Sequence, residues 1–268
     1  MSGYKDGVDA PYDPRPKLTS LGVDALPDII LPAEDRNRTS PFPYGGHRFE
    51  FRAVGSSQNV SMVNTVLGVI CAKAFKTFAD KIESGESPRS VAQKALQDHW
   101  KIVFNGDGYD KDNQKELIDR GLWHFDSGVE AMKRHRDEKN IALFEEMKVL
   151  SRGECLARSE VMFDHYTGLV EIEKNCMIDM INQHVIPSVR AAGVGPLQEL
   201  EQAVKTLEKA WEAVHAISSA DDRASAARTL RLETMIDVRK LCSKAEEICP
   251  AHLWTLATYK ELLFIDQH

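Results

Sequence analysis

Helical periodicity that begins near Val60 and continues to the end of the chain constrains the fold more than any other feature of this sequence. Apolar residues recur there at three- and four-residue spacing, which makes one face of an α-helix apolar. Such faces are stable when other elements cover them, so the pattern predicts a group of packed helices. The predicted segments span residues 60–84, 87–104, 111–121, 154–192, 197–218 and 224–248.

Local signals define the ends and breaks of these helices. Ser87 followed by Pro88 is typical of an N-cap and a first helical residue. Pro187 lies near the end of the longest segment and predicts a kink. The polar residues 218–222 separate the last two amphipathic segments, and this spacing predicts an antiparallel helical hairpin.

The beginning of the chain has a different character. Seven of the eleven prolines precede Gly45, and residues 1 to about 45 lack helical periodicity, which predicts an extended, loop-like segment. One strand signal follows the glycine pair at 45–46. Aromatic and charged residues alternate over residues 47–53, as expected of a strand with one apolar and one charged face.

The charged face of this strand carries the clearest candidate site. Arg48, Glu50 and Arg52 are each two residues apart, so they share a face at roughly 7 Å spacing. A carboxylate beside guanidinium groups stays ionised and suits a hard cation, while arginines suit phosphate or carboxylate oxygens. The alternative is an exposed edge strand with simple ion pairs. Arg36 and Arg38 form a similar pair upstream, for which a solvated charged loop is the alternative.

Charge and cysteine content narrow the class of protein. A net charge of -7 disfavours a nucleic-acid surface, which requires clustered Lys and Arg, so we expect no nucleic-acid partner. The five cysteines form no CxxC pair or Cys/His cluster, which predicts reduced thiols. The first residues lack the apolar core of a signal peptide. We therefore predict a soluble, cytoplasmic chain with no membrane partner.

Three consecutive motifs resemble type III glutamine synthetases. They are PAEDRNRTSPF at residues 32–42, GGHRFEFRAVGSSQNV at residues 45–60 and NTVL at residues 64–67. In that family the same loop, turn and strand form the last active-site segment, and the final motif opens a helix. A looser likeness to the family's helical C-terminal region continues through residues 102–106, 108–109, 138–140, 253–255 and 258–264.

The resemblance implies ATP-dependent ligation of ammonia to glutamate, with Mg²⁺ or Mn²⁺ and ATP as cofactors. Glutamate is phosphorylated to γ-glutamyl phosphate, which ammonia attacks to give glutamine, with ADP and phosphate released. The resemblance makes Glu50 a metal ligand and Arg52 a contact of the transferring phosphoryl group. It places Arg38 on the ATP phosphates and Arg48 on the nucleotide side, with Arg36 as a neighbouring candidate. The place of a further arginine in type I relatives is held by Pro43.

The family's other metal ligands and its glutamate-binding residues have no counterpart before Arg36. Because a hard cation needs several oxygen ligands, we expect the isolated chain to be inactive. The fold expected is α+β and predominantly α-helical: the end of a glutamine synthetase catalytic domain at residues 1–85, then a helical hairpin or bundle at 86–268. The resemblance also implies a double-ring homo-oligomer for the intact enzyme. A non-catalytic helical scaffold remains the alternative, and Met1 as a true start would favour it.

Overall fold

The computed structural model describes residues 2–8, 17–23, 25, 27–31, 41–45, 48–52, 55 and 59–264. The chain divides into two compact units, Met1–His124 and Phe125–His268. The fold is predominantly α-helical, as the sequence predicts, and the named strands of the described part are a single antiparallel pair. The predicted boundary between residues 85 and 86 stays a prediction.

The first unit contains four α-helices and the strand pair within its described part. The helices are α1 (Ser2–Lys5), α2 (Ser61–Glu83), α3 (Pro88–Asp98) and α4 (Lys111–Asp119), and Trp100–Ile102 forms a 3-10 turn. Strands β1 (Lys17–Thr19) and β2 (Ile29–Leu31) pair with Leu18 opposite Ile30.

The start of α3 follows the sequence signals. Ser87 is the N-cap, its side chain accepts a hydrogen bond from the Ser90 N–H at 3.1 Å, and Pro88 occupies the first turn. The short helix α1, which the sequence analysis did not predict, lies against α3. The Lys5 carbonyl accepts hydrogen bonds from Gln93 and Gln97 at 3.2 and 2.9 Å. Side chains of α3 thus satisfy a carbonyl at the end of α1.

Helix α2 has the length and composition of a membrane span, although only 6% of its most apolar window is buried within the chain. Length and composition alone are weak support for a membrane role, because helices of soluble proteins pass the same test. Lys73, Lys76 and Asp80 lie in its second half, and Lys76 pairs with Asp80 at 2.8 Å. The helix also exposes Phe75, whose side chain is 73% accessible.

The second unit is helical throughout its described part. It contains α5 (Gly128–Arg134), α6 (Glu138–Glu146), α7 (Arg152–Met180), α8 (Ile186–Ala192), α9 (Leu197–His215), α10 (Ala220–Thr229), α11 (Met235–Ile248) and α12 (Tyr259–Leu263), with a 3-10 turn at Ala251–Leu253. Helix α7 begins with a capping box in which Ser151 and Glu154 satisfy each other's backbone N–H groups. Helix α9 contacts both α10 and α11, which confirms the predicted helical hairpin.

Two π turns interrupt the long helices. One spans Ile181–Val185 between α7 and α8, and the other spans Leu230–Thr234 between α10 and α11. Pro187 follows the first π turn, and a proline lacks the N–H that a regular helix would use at that position. The sequence predicted an irregularity at Pro187, and the structure shows a π turn just before it.

The main core of the second unit lies where α7, α8, α9 and α11 meet. Val170, Ile181, Leu200, Leu207 and Val238 belong to one buried cluster, against which Trp211 and Trp254 pack as partly buried anchors. Both tryptophans therefore act as packing residues at the edge of this core. A smaller cluster joins α5, α7 and α10.

Lys174 is an unexpected member of the buried face of α7. Its side chain is only 6% exposed, and its ammonium lies 5.1 Å from the centre of the Trp211 ring. Among the described residues no carboxylate pairs with it. The aromatic face therefore offsets part of the cost of burying this charge.

We expect Trp211→Leu to lower the free energy of unfolding by about 2–4 kcal/mol, because it removes packing and leaves the Lys174 ammonium without its ring. The same substitution in a Lys174→Met background should cost about 0.5–2 kcal/mol less, which is the coupling expected of a buried cation–π contact. Urea unfolding of the four proteins gives this difference. Equal costs in the two backgrounds would show that the ring and the ammonium are uncoupled.

The His135 imidazole makes the free energy of unfolding depend on pH. It packs edge-on against Phe144 at 5.3 Å between ring centres, and burial, with a smaller effect of the Arg158 charge, lowers its pKa. The folded state therefore favours the neutral ring. The stability that the neutral ring contributes is complete above the ordinary His pKa of about 6.5. It is lost as the pH falls below this value, because the unfolded chain then binds the proton first.

Urea midpoints between pH 7.5 and 5.5 should fall more for the native sequence than for His135→Gln. Parallel curves would contradict this assignment.

Candidate functional site

The candidate site lies on a hairpin formed by residues 41–45 and 48–52. The Glu50 N–H donates to the Pro43 carbonyl at 3.2 Å, and the Arg52 N–H donates to the Pro41 carbonyl at 2.8 Å. Near the turn, the Gly45 N–H donates to the Arg48 carbonyl at 2.7 Å. The described part of the predicted strand, residues 48–52, is thus paired antiparallel with the segment before it.

Prolines explain why this pairing is incomplete. Pro41 and Pro43 accept hydrogen bonds through their carbonyls but have no N–H to return. The structure accordingly shows an isolated bridge, Tyr44 opposite Phe49, in place of a continuous ladder. The alternation of residues 47–53 predicted the extended conformation, whereas the prolines restrict the number of hydrogen bonds that the hairpin makes.

The apolar face of the hairpin is built from aromatic side chains. The Phe49 ring stacks on Phe42 and contacts Tyr44 at a tilt, both with ring centres 5.1 Å apart. Phe51 lies two residues from Phe49 and therefore shares this face. All four side chains are exposed within this chain. The sequence analysis identified the aromatic residues of the second strand but missed Phe42 and Tyr44, whose alternation with Pro41 and Pro43 was the available signal.

The opposite face brings two of the predicted site residues together. A guanidinium nitrogen of Arg52 donates to a carboxylate oxygen of Glu50 at 3.3 Å. The Arg52 side chain is 14% exposed, while that of Glu50 is 50% exposed. The carboxylate is thus open to solvent, while most of the arginine side chain is covered.

Arg48 lies at the turn end of the same strand. A Cβ at Gly45 would lie 3.4 Å from the Arg48 Cγ, so the arginine stem packs closely over this glycine. The hairpin therefore positions Arg48 through contact with the turn, in addition to the spacing along the strand.

Two of the predicted site residues, Arg36 and Arg38, fall outside the described residues, within the segment 32–40. Within the described part of the chain, no group of three His, Cys, Asp or Glu side chains is arranged to hold a metal ion. Glu50 supplies one carboxylate beside Arg52, which by itself does not fit the several oxygen ligands of Mg²⁺. The described cysteines are all free thiols, as predicted.

Comparison with known proteins identifies similar sequences. Residues 89–207 match the family model of the glutamine synthetase C-terminal domain. A type-3 glutamine synthetase from Dictyostelium discoideum is 32% identical over 91% of this chain and 39% of its own length. A glutamine synthetase from Bacteroides fragilis is 33% identical over 65% of this chain and 25% of its own length. One from Butyrivibrio fibrisolvens is 25% identical over 86% and 38%, respectively.

The extent of these matches has two consequences. The match to the Dictyostelium discoideum protein leaves out less than a tenth of this chain, so it extends across the hairpin at residues 41–52. The chain itself spans between a quarter and two fifths of the length of these relatives.

We expect Glu50→Gln to change the free energy of unfolding by less than about 1 kcal/mol, because the Glu50–Arg52 pair is partly exposed and such pairs contribute little. Urea unfolding followed by circular dichroism measures this change, with the exposed Glu86→Gln as the matched control. A loss of several kcal/mol relative to the control would show that the pair is needed for folding.

Proposed function

Because this chain belongs to the type III glutamine synthetase family, we propose that it forms part of an enzyme that ligates ammonia to glutamate with ATP as phosphoryl donor. In this reaction the glutamate side-chain carboxylate attacks the γ-phosphorus of ATP and ADP leaves. Ammonia then attacks the acyl carbon of γ-glutamyl phosphate, the C–O bond to phosphate breaks, and glutamine forms after loss of a proton. The activity belongs to the whole enzyme, of which this chain represents two fifths or less by comparison with its relatives.

The observation that carries this proposal is the contact between Glu50 and Arg52 on one face of the hairpin. The sequence resemblance assigns a metal ligand and a phosphate contact to these two positions. Their side chains meet at 3.3 Å, within a segment that the match to the type-3 relative includes. A carboxylate and a guanidinium held this close can act on the same anionic group, one through a cation and one directly.

The proposed roles are those that the family resemblance implies, and the charges of the residues suit them. Arg52 binds the phosphoryl group during transfer, where its positive charge stabilises the negative charge that spreads over the oxygens. Arg48, held over Gly45, faces the nucleotide. Arg38 and Arg36 precede the hairpin in the sequence and neutralise ATP phosphate charge in this proposal.

Glu50 contributes one oxygen ligand to a Mg²⁺ or Mn²⁺ ion, which when bound supplies further charge neutralisation. The remaining ligands and the glutamate-binding residues would come from the part of the family's sequence that this chain does not cover. We therefore propose that the 268-residue chain is inactive in isolation.

In this proposal the helical part has a structural role. In this proposal residues 1–85 end the catalytic domain, and residues 86–268 form the helical C-terminal domain, within which the family model matches residues 89–207. The enzyme as proposed is a cytoplasmic homo-oligomer. Exposed apolar side chains support the assembly, for example Ile70 and Phe75 on α2 and the aromatic face of the hairpin. Such surfaces are usually covered by another chain or domain.

The decisive experiment expresses the gene with any coding sequence that continues in frame before Met1, and measures Mg²⁺-dependent formation of glutamine from glutamate, ammonia and ATP. We expect Glu50→Ala and Arg52→Ala each to lower kcat by about a hundredfold or more, because each removes charge stabilisation at the phosphoryl group. The 268-residue chain alone should form no glutamine.

Glu86→Ala is the matched control, since it removes an exposed acid outside the hairpin and should leave kcat unchanged. Circular dichroism of each variant confirms that the fold survives. Near-normal activity of Glu50→Ala would refute its assignment as a metal ligand. Glutamine formation by the isolated chain would refute the view that other segments complete the site.

A further inference from the structure

A half-open apolar cavity lies in the second unit, far along the sequence from the hairpin. Its volume is about 710 Å³, which is within the range of small-molecule sites. Side chains from α7, the first π turn, α11 and the segment at 254–262 form its walls. The apolar part of the lining includes Ile172, Met177, Ile181, Val185, Leu256 and Leu262.

The wall formed by residues 254–257 is fixed to the π turn by one hydrogen bond. His184 Nδ1 lies 2.8 Å from the Thr255 hydroxyl oxygen. His184 belongs to the π turn, and Thr255 is flanked by Trp254 and Leu256, which both line the cavity. Two walls of the cavity are thus connected directly, and π turns are frequent at functional sites.

A buried hydrogen-bond donor in the cavity wall lacks an acceptor. The Trp254 Nε1 atom is inaccessible to solvent and has no hydrogen-bond partner among the described residues. A buried Trp N–H normally finds an acceptor, and leaving it unsatisfied is unfavourable. Because this N–H is inaccessible even to water, a ligand in the cavity would not meet it, and Trp254 contributes apolar wall.

One cation at the cavity is not balanced by a neighbouring acid. Glu173 is paired with Arg231 at 2.7 Å. Arg239 has no ion pair among the described residues, and Glu246 lies two helical turns away from it along α11. Between them is Cys242, whose thiol pKa burial raises while the Arg239 charge opposes the rise. Arg239 itself is exposed, so its guanidinium lines the cavity where solvent reaches it.

From these features we propose that the cavity binds an elongated apolar carboxylate. The hydrocarbon body occupies the apolar walls between α7 and α11, and the carboxylate oxygens accept hydrogen bonds from the Arg239 guanidinium. Glu246 disfavours a second negative charge at the far end of α11, so the ligand carries a single anionic group. This inference concerns a site separate from the hairpin and does not depend on the proposed ligase activity.

The test measures binding of decanoate to the full 268-residue chain by isothermal titration calorimetry, below the concentration at which decanoate forms micelles. We expect saturable binding to one site, with decan-1-ol weaker and decylammonium weaker still. Arg239→Gln should weaken decanoate binding by about tenfold, the loss of one charge-assisted hydrogen bond, while leaving decan-1-ol binding unchanged.

Lys240→Gln is the matched control, because it removes a neighbouring cation on α11 that does not line the cavity. Ala257→Phe fills the mouth from an exposed position and should abolish binding without loss of thermal stability. Absence of saturable decanoate binding would overturn the proposal. So would decylammonium binding as tightly as decanoate, or equal losses of decanoate affinity in Arg239→Gln and Lys240→Gln.

Discussion

The second unit depends on the burial of one stripe along α7. Its members follow one another mostly at four-residue spacing, and they include Cys155, Phe163, Val170 and Lys174. Phe163 packs with residues of α5 and α10, and Val170 belongs to the main cluster with α9 and α11. A helix of 29 residues therefore serves as the common surface against which the shorter helices are ordered. The stripe also contains polar side chains, whose polar groups find partners close by. The Thr167 hydroxyl donates a hydrogen bond to the Phe163 carbonyl, and the Lys174 ammonium lies over the Trp211 ring.

Much of the helical architecture was predictable because its signals are local. Ser87 and Pro88 define the start of α3 through capping chemistry that needs no knowledge of tertiary structure. The same is true of the shared face of Glu50 and Arg52, which follows from the two-residue period of an extended chain. Local signals do not specify which helices and side chains pack against each other. The docking of α1 on α3 and the burial of Lys174 against Trp211 depend on residues far apart in sequence.

The two faces of the hairpin meet different requirements, one for stability and one for contact with an anion. Its aromatic face is exposed within this chain, so its stabilisation must come largely from ring contacts within the hairpin and from whatever surface covers it. Its charged face needs defined positions but little burial, since a reacting anion must reach it. Proline at positions 41 and 43 is compatible with both requirements, because the carbonyls still accept hydrogen bonds while the restricted φ keeps the first strand extended. The sequence indicated the charged row, but not how much of each side chain the hairpin would cover.

The π turn at Ile181–Val185 places one additional residue between α7 and α8, which follow each other without a break. Each helical residue rotates the side-chain direction by about 100°, so this residue shifts the phase of everything that follows it in α8 relative to α7. The number of residues between Ser151 and Pro187 is therefore itself a structural constraint. A homologue with a one-residue deletion in this interval would restore a regular helix and lose the wall that carries His184. An insertion or deletion at the π turn therefore changes the orientation of the side chains that follow it, which a substitution does not.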